Sequence, residues 1–230
     1  MVKKIVTDLE KLSERAEEIR DIRKESKEVQ QIVLELKDTM REFKLPALAA
    51  PQIGYSKRIF VINFDGDLKS FINPVIDYND IKGMGMSIEQ CPSIPGKQFL
   101  MIRNSQLGVM YMTPLGQAKG FKLQGMGAYT FQRMMNILDG VLLPDMGLEV
   151  DEDFINASEE EKAPVINAFL ESLDLKQKTV EKEIDESPEL SKIRDAANFM
   201  NKVKDGDVHV VVEEEKLPEI KKEKIKKKEK

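Results

Sequence analysis

Short strand-type runs occupy the middle of the chain, and a helical pattern lies on either side of them. The run 58–64 is apolar and rich in β-branched residues, and it ends at the turn Asp65-Gly66-Asp67. Residues 107–112 and 118–124 flank Pro114-Leu115-Gly116, which favours a hairpin. Further strands are predicted at 71–76, 101–104 and 121–124.

Two helices enclose this block. Apolar residues at three- and four-residue spacing predict an amphipathic helix over 26–43. A second helix, apolar over more of its surface, is predicted over 127–140. One helix before the strands and one buried helix after them predict an α+β domain over residues 1–145.

Residues 146–204 are acidic and predict a helical extension of two helices. The first begins with capping-box spacing at Ser158-Glu159-Glu160-Glu161, and the second begins at Ser187-Pro188. Each helix has an apolar stripe that needs a partner surface. The stripes either pack on the first domain and on each other, or form a docking surface for another chain.

Residues 205–230 form a third region, a strand candidate at 208–212 followed by a lysine-rich end. The strand can pair with an edge of the domain, or with another chain by strand addition. Residues 216–230 contain eight Lys and three Glu. This end is either solvated or contacts nucleic acid or an acidic protein surface.

Composition narrows the classes of function. A net charge of -5 argues against broad nucleic-acid binding by the body of the protein. No apolar run approaches 18 residues, so no membrane span is expected. The single cysteine, Cys91, excludes an internal disulfide and fits a reducing compartment. A soluble protein is expected, either cytoplasmic or, if of phage origin, incorporated in a virion.

Three segments, in this order, resemble the sequence motifs of peptide deformylases. Leu48-Ala49-Ala50-Pro51-Gln52 is similar to the first motif, a loop that ends in Ala-Ala-x-Gln. Glu89-Gln90-Cys91-Pro92-Ser93-Ile94-Pro95-Gly96 is similar to the second, Glu-Gly-Cys-Leu-Ser followed by x-Pro-Gly. Residues 132–140 lie where the third, Gln-His-Glu-x-x-His-Leu-x-Gly, is expected. The order and spacing extend the resemblance over residues 1–145.

The resemblance implies the deformylase fold, in which short strands surround a central helix. It also implies a metal held by one Cys and by two His on one helix face, with a Glu between them that transfers protons. Such a metal lowers the pKa of a bound water to make a nucleophile. The matching ligand positions here are Cys91, Arg133 and Ile137, and the Glu position is Met134.

These positions have lost the residue types that the chemistry requires. Arg133 is permanently protonated and Ile137 has no donor atom, while Met134 cannot exchange protons. The resemblance also assigns oxyanion stabilisation to Gln52 and to the backbone N–H after the cysteine, but the residue there is Pro92. Losing one such donor typically costs about 10²–10³ in rate. We therefore expect no metal, no cofactor and no catalytic residue, only vestigial site positions at Gln52, Cys91, Arg133, Met134 and Ile137.

Binding functions remain open. The candidate binding residues are Gln52, Glu89, Ser93 and Arg133. Arg133 either fills the vacated metal site, paired with Glu89 or the Cys91 thiolate, or extends to solvent. Leu45 replaces a motif glycine and is expected to narrow the cleft. Several methionines are expected around the site: Met84, Met86, Met126, Met134, Met135 and Met146.

Three functions follow from these patterns. The first is a non-catalytic, deformylase-like structural or assembly component of a larger complex, whose extension contacts other protein subunits. A phage virion particle or a ribosome-associated assembly is the setting that the family's distribution implies. The second is a binding module for peptide N-termini. The third, an active metal-dependent deformylase, would need new ligands from Asp, Glu or Cys91.

Overall fold

The computed structural model describes residues 1–184 and 211–212. The described part contains six α-helices and seven strands. In chain order they are α1 (Leu9–Leu12), α2 (Ser26–Phe43), β1 (Ala47–Ala49), β2 (Ile59–Phe64), β3 (Asp67–Cys91), β4 (Ile94–Met112), β5 (Ala118–Gln124), α3 (Met126–Leu138), α4 (Leu143–Met146), β6 (Leu148–Val150), α5 (Glu152–Asn156), α6 (Glu159–Ile184) and β7 (Val211–Val212). The predicted α+β class is confirmed.

The strands form one sheet in the order β1-β2-β3-β4-β5-β7, and β6 pairs with part of β4. Neighbouring strands are antiparallel, except that β7 runs parallel to β5. The predicted hairpin is confirmed, because residues 107–112 of β4 pair with 118–124 of β5 around the Pro114-Leu115-Gly116 turn.

Helix α2 has the predicted bounds, and its apolar stripe packs against β1 and β2. Val29, Ile32 and Leu36 are fully buried there. The helix ends at Lys44, which adopts a left-handed conformation with φ of 52°. The chain then turns directly into β1, so α2 fixes where the first motif begins.

Strands β3 and β4 form a hairpin much longer than the separate strands predicted at 71–76, 101–104 and 107–112. The glycines at 83 and 85 weaken the strand pattern of the sequence. Antiparallel pairing between Ile72 and Gln90 compensates, although register shifts interrupt it between Ile72 and Val75 and between Asp77 and Lys82. The second motif therefore forms the tip of this hairpin, where Cys91 pairs with Ile94.

Helix α3 is the central helix that the resemblance implied, and it confirms the helix predicted over 127–140 to within two residues. Phe131 is fully buried, and its ring lies 5.1 Å from that of Phe60 and 5.3 Å from that of Phe71. Both contacts are edge-on, the arrangement that aromatic quadrupoles favour. This packing fixes which face of α3 meets the second motif.

The extension packs back on the domain. Strand β6 pairs with residues 98–100 of β4, so the sheet continues past residue 145. Phe169 of α6 then packs with Leu100 and Val150. The helix predicted to begin at Ser187, the histidine at 209 and the lysine-rich end lie outside the described residues. Within the described part of the chain, none of the helices has the length and apolarity to cross a bilayer.

Strand β7 covers two residues of the strand predicted over 208–212. Val211 lies opposite Lys119 and Val212 lies opposite Gly120. Pairing with an edge of the domain is therefore the alternative that the structure supports for these two residues.

Candidate functional site

Residues of the three motif-like segments line one small cavity. Gln52 reaches it from the turn after β1, Cys91 and Ser93 from the β3–β4 tip, and Arg133 and Ile137 from α3. Arg103 of β4 and Asn136 of α3 also line it, and apolar side chains of α1, β4 and the segment 141–146 close the rest of the wall. The space holds about one water molecule.

Gln52 links the first motif to the hairpin tip through hydrogen bonds of its side chain. Its side chain is fully buried, and its Oε1 accepts a hydrogen bond from the Ala49 N–H at 3.0 Å. Its Nε2 donates to Ser93 Oγ at 3.2 Å and to Cys91 Sγ at 3.4 Å. Both ends of the amide are thus engaged by the protein, which leaves Gln52 little capacity to bind a ligand.

Cys91 is buried and stays a thiol. Burial raises the pKa of the Cys91 thiol, although N–H groups of Ser93 and Ile94 and the charge of Arg133 oppose the shift. The thiolate is the form that binds metals and attacks electrophiles. Between Cys91 and the buried Ser93 lies Pro92, so the backbone offers no N–H where an oxyanion donor is expected.

Arg133 lines the cavity and is partly buried. Its Nη1 donates to the Gln90 carbonyl at 3.0 Å, while its Nε is buried and has no hydrogen-bond partner among the described residues. Burial lowers the pKa of the Arg133 guanidinium. Arg133 thus lines the cavity with its buried Nε, while its Nη1 reaches an exposed contact at Gln90.

The predicted pairing of Arg133 with Glu89 is wrong, because Glu89 binds Arg103 instead. Nε and Nη2 of Arg103 donate to the two Glu89 oxygens at 2.9 and 3.0 Å. Arg103 also donates to Asn136 Oδ1 on α3. The side chains of Arg103 and Glu89 are 3% and 5% exposed, so this is a buried bidentate ion pair.

Sequence reasoning missed Arg103, although a signal was present. Phe99, Met101 and Arg103 alternate on the buried face of β4, and a charge in such a series needs a buried partner. Glu89 lies opposite Phe99 in the hairpin, and so it is not the direct cross-strand neighbour of Arg103. Only the folded hairpin brings the two side chains together.

Met134 and Ile137 are core residues, 2% and 4% exposed. With Arg133 they leave α3 without a metal donor at the positions that the resemblance assigns to ligands and proton transfer. Within residues 1–184 and 211–212, no group of three or more His, Cys, Asp and Glu side chains is placed to hold a metal ion. The residues present therefore do not fit the metal that the resemblance implies.

Two expectations about the cavity wall are wrong. Leu45 packs with the α2 core and not on the cavity. Of the methionines expected there, only Met146 lines the cavity, whereas Met84 and Met86 are exposed on β3. Their alternation along a strand turns them away from the buried face.

Comparisons with known proteins give the same family that the three motif-like segments resemble. The family model described as polypeptide deformylase matches residues 2–151. The peptide deformylase of Carboxydothermus hydrogenoformans is 33% identical over 128 residues, which is 54% of this chain and 83% of that protein. That of Pelotomaculum thermopropionicum is 36% identical over 123 residues, covering 52% and 78%.

Solved structures give the same relationship. The crystal structure of peptide deformylase from Thermotoga maritima superposes with a TM-score of 0.59 at 26% identity, covering 64% of this chain and 97% of that one. The enzyme from Synechococcus elongatus in complex with actinonin gives 0.58 at 27% identity, covering 64% and 78%. The matched region holds the strands, the central helix and the cavity, and the chain therefore belongs to the polypeptide deformylase family.

Proposed function

We propose that this protein is a non-catalytic member of the family that serves as a structural or assembly component of a larger complex. One observation carries the proposal. Helix α3 packs as the central helix of the fold, yet it brings Arg133 and Ile137 to the cavity where Cys91 and Gln52 meet, and it buries Met134 in the core. The two ligand positions, Arg133 and Ile137, offer no donor atom to a metal, and Met134 has no proton to exchange.

The fold around the site holds itself together without a metal. The Glu89–Arg103 pair and the Arg103–Asn136 hydrogen bond join β3, β4 and α3. Gln52 joins the first motif to the hairpin tip through Ser93. A scaffold that retains these contacts while lacking ligands is consistent with selection for the fold alone.

An exposed strip of apolar residues supports a role in assembly. Met84, Met86 and Ile88 alternate along β3 and are 77%, 51% and 40% exposed. Among the described strands, residues 75–91 of β3 pair with β4 alone, which leaves one edge of this strand open. Open edges with apolar side chains are sites where another chain adds a strand.

This strip adjoins the extension. Ile88 lies opposite Leu100, and Leu100 packs with Phe169 of α6. Directly opposed residues of an antiparallel pair share one face of the sheet. The strip and α6 thus form one surface on which other protein subunits are proposed to dock, in a virion or a ribosome-associated particle.

The alternative, a binding module for peptide N-termini, requires an open groove beside Gln52 and Ser93. Both side chains are buried, at 0% and 2% exposure, and they bind each other. A cavity with room for about one water does not admit a peptide side chain. The structural role is therefore favoured over this alternative.

Metal content and formyl-peptide hydrolysis, measured on the same purified sample, test the loss of catalysis. We expect neither stoichiometric metal nor turnover, with the Thermotoga maritima enzyme as positive control. A variant carrying Arg133→His, Met134→Glu and Ile137→His restores the family motif and is expected to gain metal. Stoichiometric metal with turnover in the unaltered protein would falsify the proposal.

The assembly role is tested by the native mass of the protein in extracts of its source. We expect the 26.2 kDa chain to sediment within a much larger particle. Met84→Lys with Met86→Lys should release it, whereas Leu115→Lys, at a turn residue that is 78% exposed, should not. A lone monomer in those extracts would contradict this role.

A further inference from the structure

The wall of the cavity includes one guanidinium, that of Arg133, outside the ion pairs of the described residues. Arg103 and Arg133 both line it, and no Asp or Glu does. Both oxygens of Glu89 are occupied by Arg103. Arg133 is therefore left without a carboxylate partner among the described residues.

One donor of Arg133 has no acceptor. Its Nε atom is buried and lacks a hydrogen-bond partner within the described part of the chain, and no other described side chain has such a buried, unpartnered N or O atom. Buried donors in folded proteins nearly always have a partner, which is protein, ordered water or an ion. The unpartnered Nε–H thus indicates that a small acceptor binds beside it in the cavity.

Size and neighbours restrict that species. The cavity has room for about one water-sized particle, which excludes sulfate, phosphate and carboxylates. Ser93 Oγ accepts from Gln52, and its hydroxyl hydrogen-bonds Cys91, so Ser93 does not supply a free donor. The free Nε–H and the positive charge of Arg133, in a space lined largely by apolar side chains, suit a monatomic anion.

We propose that the cavity binds a halide ion, chloride under ordinary conditions, held by the Arg133 Nε–H. The charge of the site is then inverted: a position that holds a cation in a metal-dependent relative holds an anion here. Burial lowers the pKa of the Arg133 guanidinium and Arg103 adds to that lowering, while Glu89 and Cys91 oppose it. The inference depends on the cavity geometry and not on the proposed assembly role.

Thermal unfolding of the full chain at constant ionic strength tests the site. When gluconate is replaced by chloride or bromide, a ligand at ten times its Kd should raise Tm by about 3–6 °C. Arg133→Met should abolish the halide dependence. Arg23→Met removes the same charge from an exposed position and should leave that dependence intact.

Anomalous diffraction from bromide-containing crystals of the unaltered protein locates the ion even if Arg133→Met fails to fold. We expect a peak within hydrogen-bonding distance of Arg133 Nε. A halide effect of equal size in Arg133→Met, or density for a water with no anomalous signal, would overturn the proposal. Metal analysis is a separate measurement, so failure of the non-catalytic role and failure of the halide site are distinguishable.

Discussion

Replacing Arg103 with methionine removes half of a buried ion pair while keeping much of the side-chain volume. The Glu89 carboxylate would lose both of its charge-assisted hydrogen bonds, at 2.9 and 3.0 Å, in a position where it is 5% exposed. Removing one partner of such a pair costs about 3–5 kcal/mol, because the remaining charge stays buried without compensation. At about 2–4 °C per kcal/mol for a chain of this length, Tm should fall by about 6–20 °C.

A double-mutant cycle separates the pair from its surroundings. Glu89→Met combined with Arg103→Met replaces the ion pair by apolar contact, and it should cost less than the sum of the two single changes by at least about 2 kcal/mol. Urea unfolding measures each variant, and an unchanged m-value shows that only stability has changed. Strictly additive effects, or a cost below about 1 kcal/mol for Arg103→Met, would refute the assignment of a buried, coupled pair.

Three further results are expected. Burial opposes ionisation of Glu35, but hydrogen bonds from Tyr55, Gln31 and Lys3 outweigh it and hold the pKa of its carboxyl below the ordinary value of 4.5. The stability that ionised Glu35 contributes to the folded protein is therefore fully present above about pH 4.5 and is lost as pH falls through the lower folded-state pKa. Glu35→Gln should consequently flatten the acid side of a plot of the free energy of unfolding against pH. Asn73 has φ of 46°, and its side chain hydrogen-bonds both the N–H and the carbonyl of Ile19. Urea unfolding of Asn73→Ala should therefore show a free energy of unfolding lower by about 1–3 kcal/mol. A decrease under about 0.5 kcal/mol would contradict this role. The Cys91 thiol is 6% exposed, so thiol-reagent kinetics should show slow labelling of native protein and fast labelling in urea, and equal rates would disprove its burial.

Local pattern determined much of the fold. The spacing of apolar residues in α2 gave its bounds, since a helix face is set by neighbours three and four residues apart. The turn at Pro114-Leu115-Gly116 likewise predicted the β4–β5 hairpin, whose register depends on the residues close to it. The missing ligands at 133 and 137 follow from side-chain chemistry alone, because neither Arg nor Ile can bind a metal in any fold.

Tertiary structure decided what depends on residues far apart in the chain. The glycines at 83 and 85 weaken the alternation of Met84, Met86 and Ile88, and residues 82–90 are extended because β4 supplies their hydrogen bonds. Arg103 reaches Glu89 diagonally across the hairpin and Asn136 on α3, contacts that no spacing within one element predicts. Whether the extension packed back or reached outward was open in the sequence. An apolar stripe indicates that a helix packs on a partner surface but does not identify that surface. The contact of Phe169 with Leu100 and Val150 identifies the domain as the partner of α6.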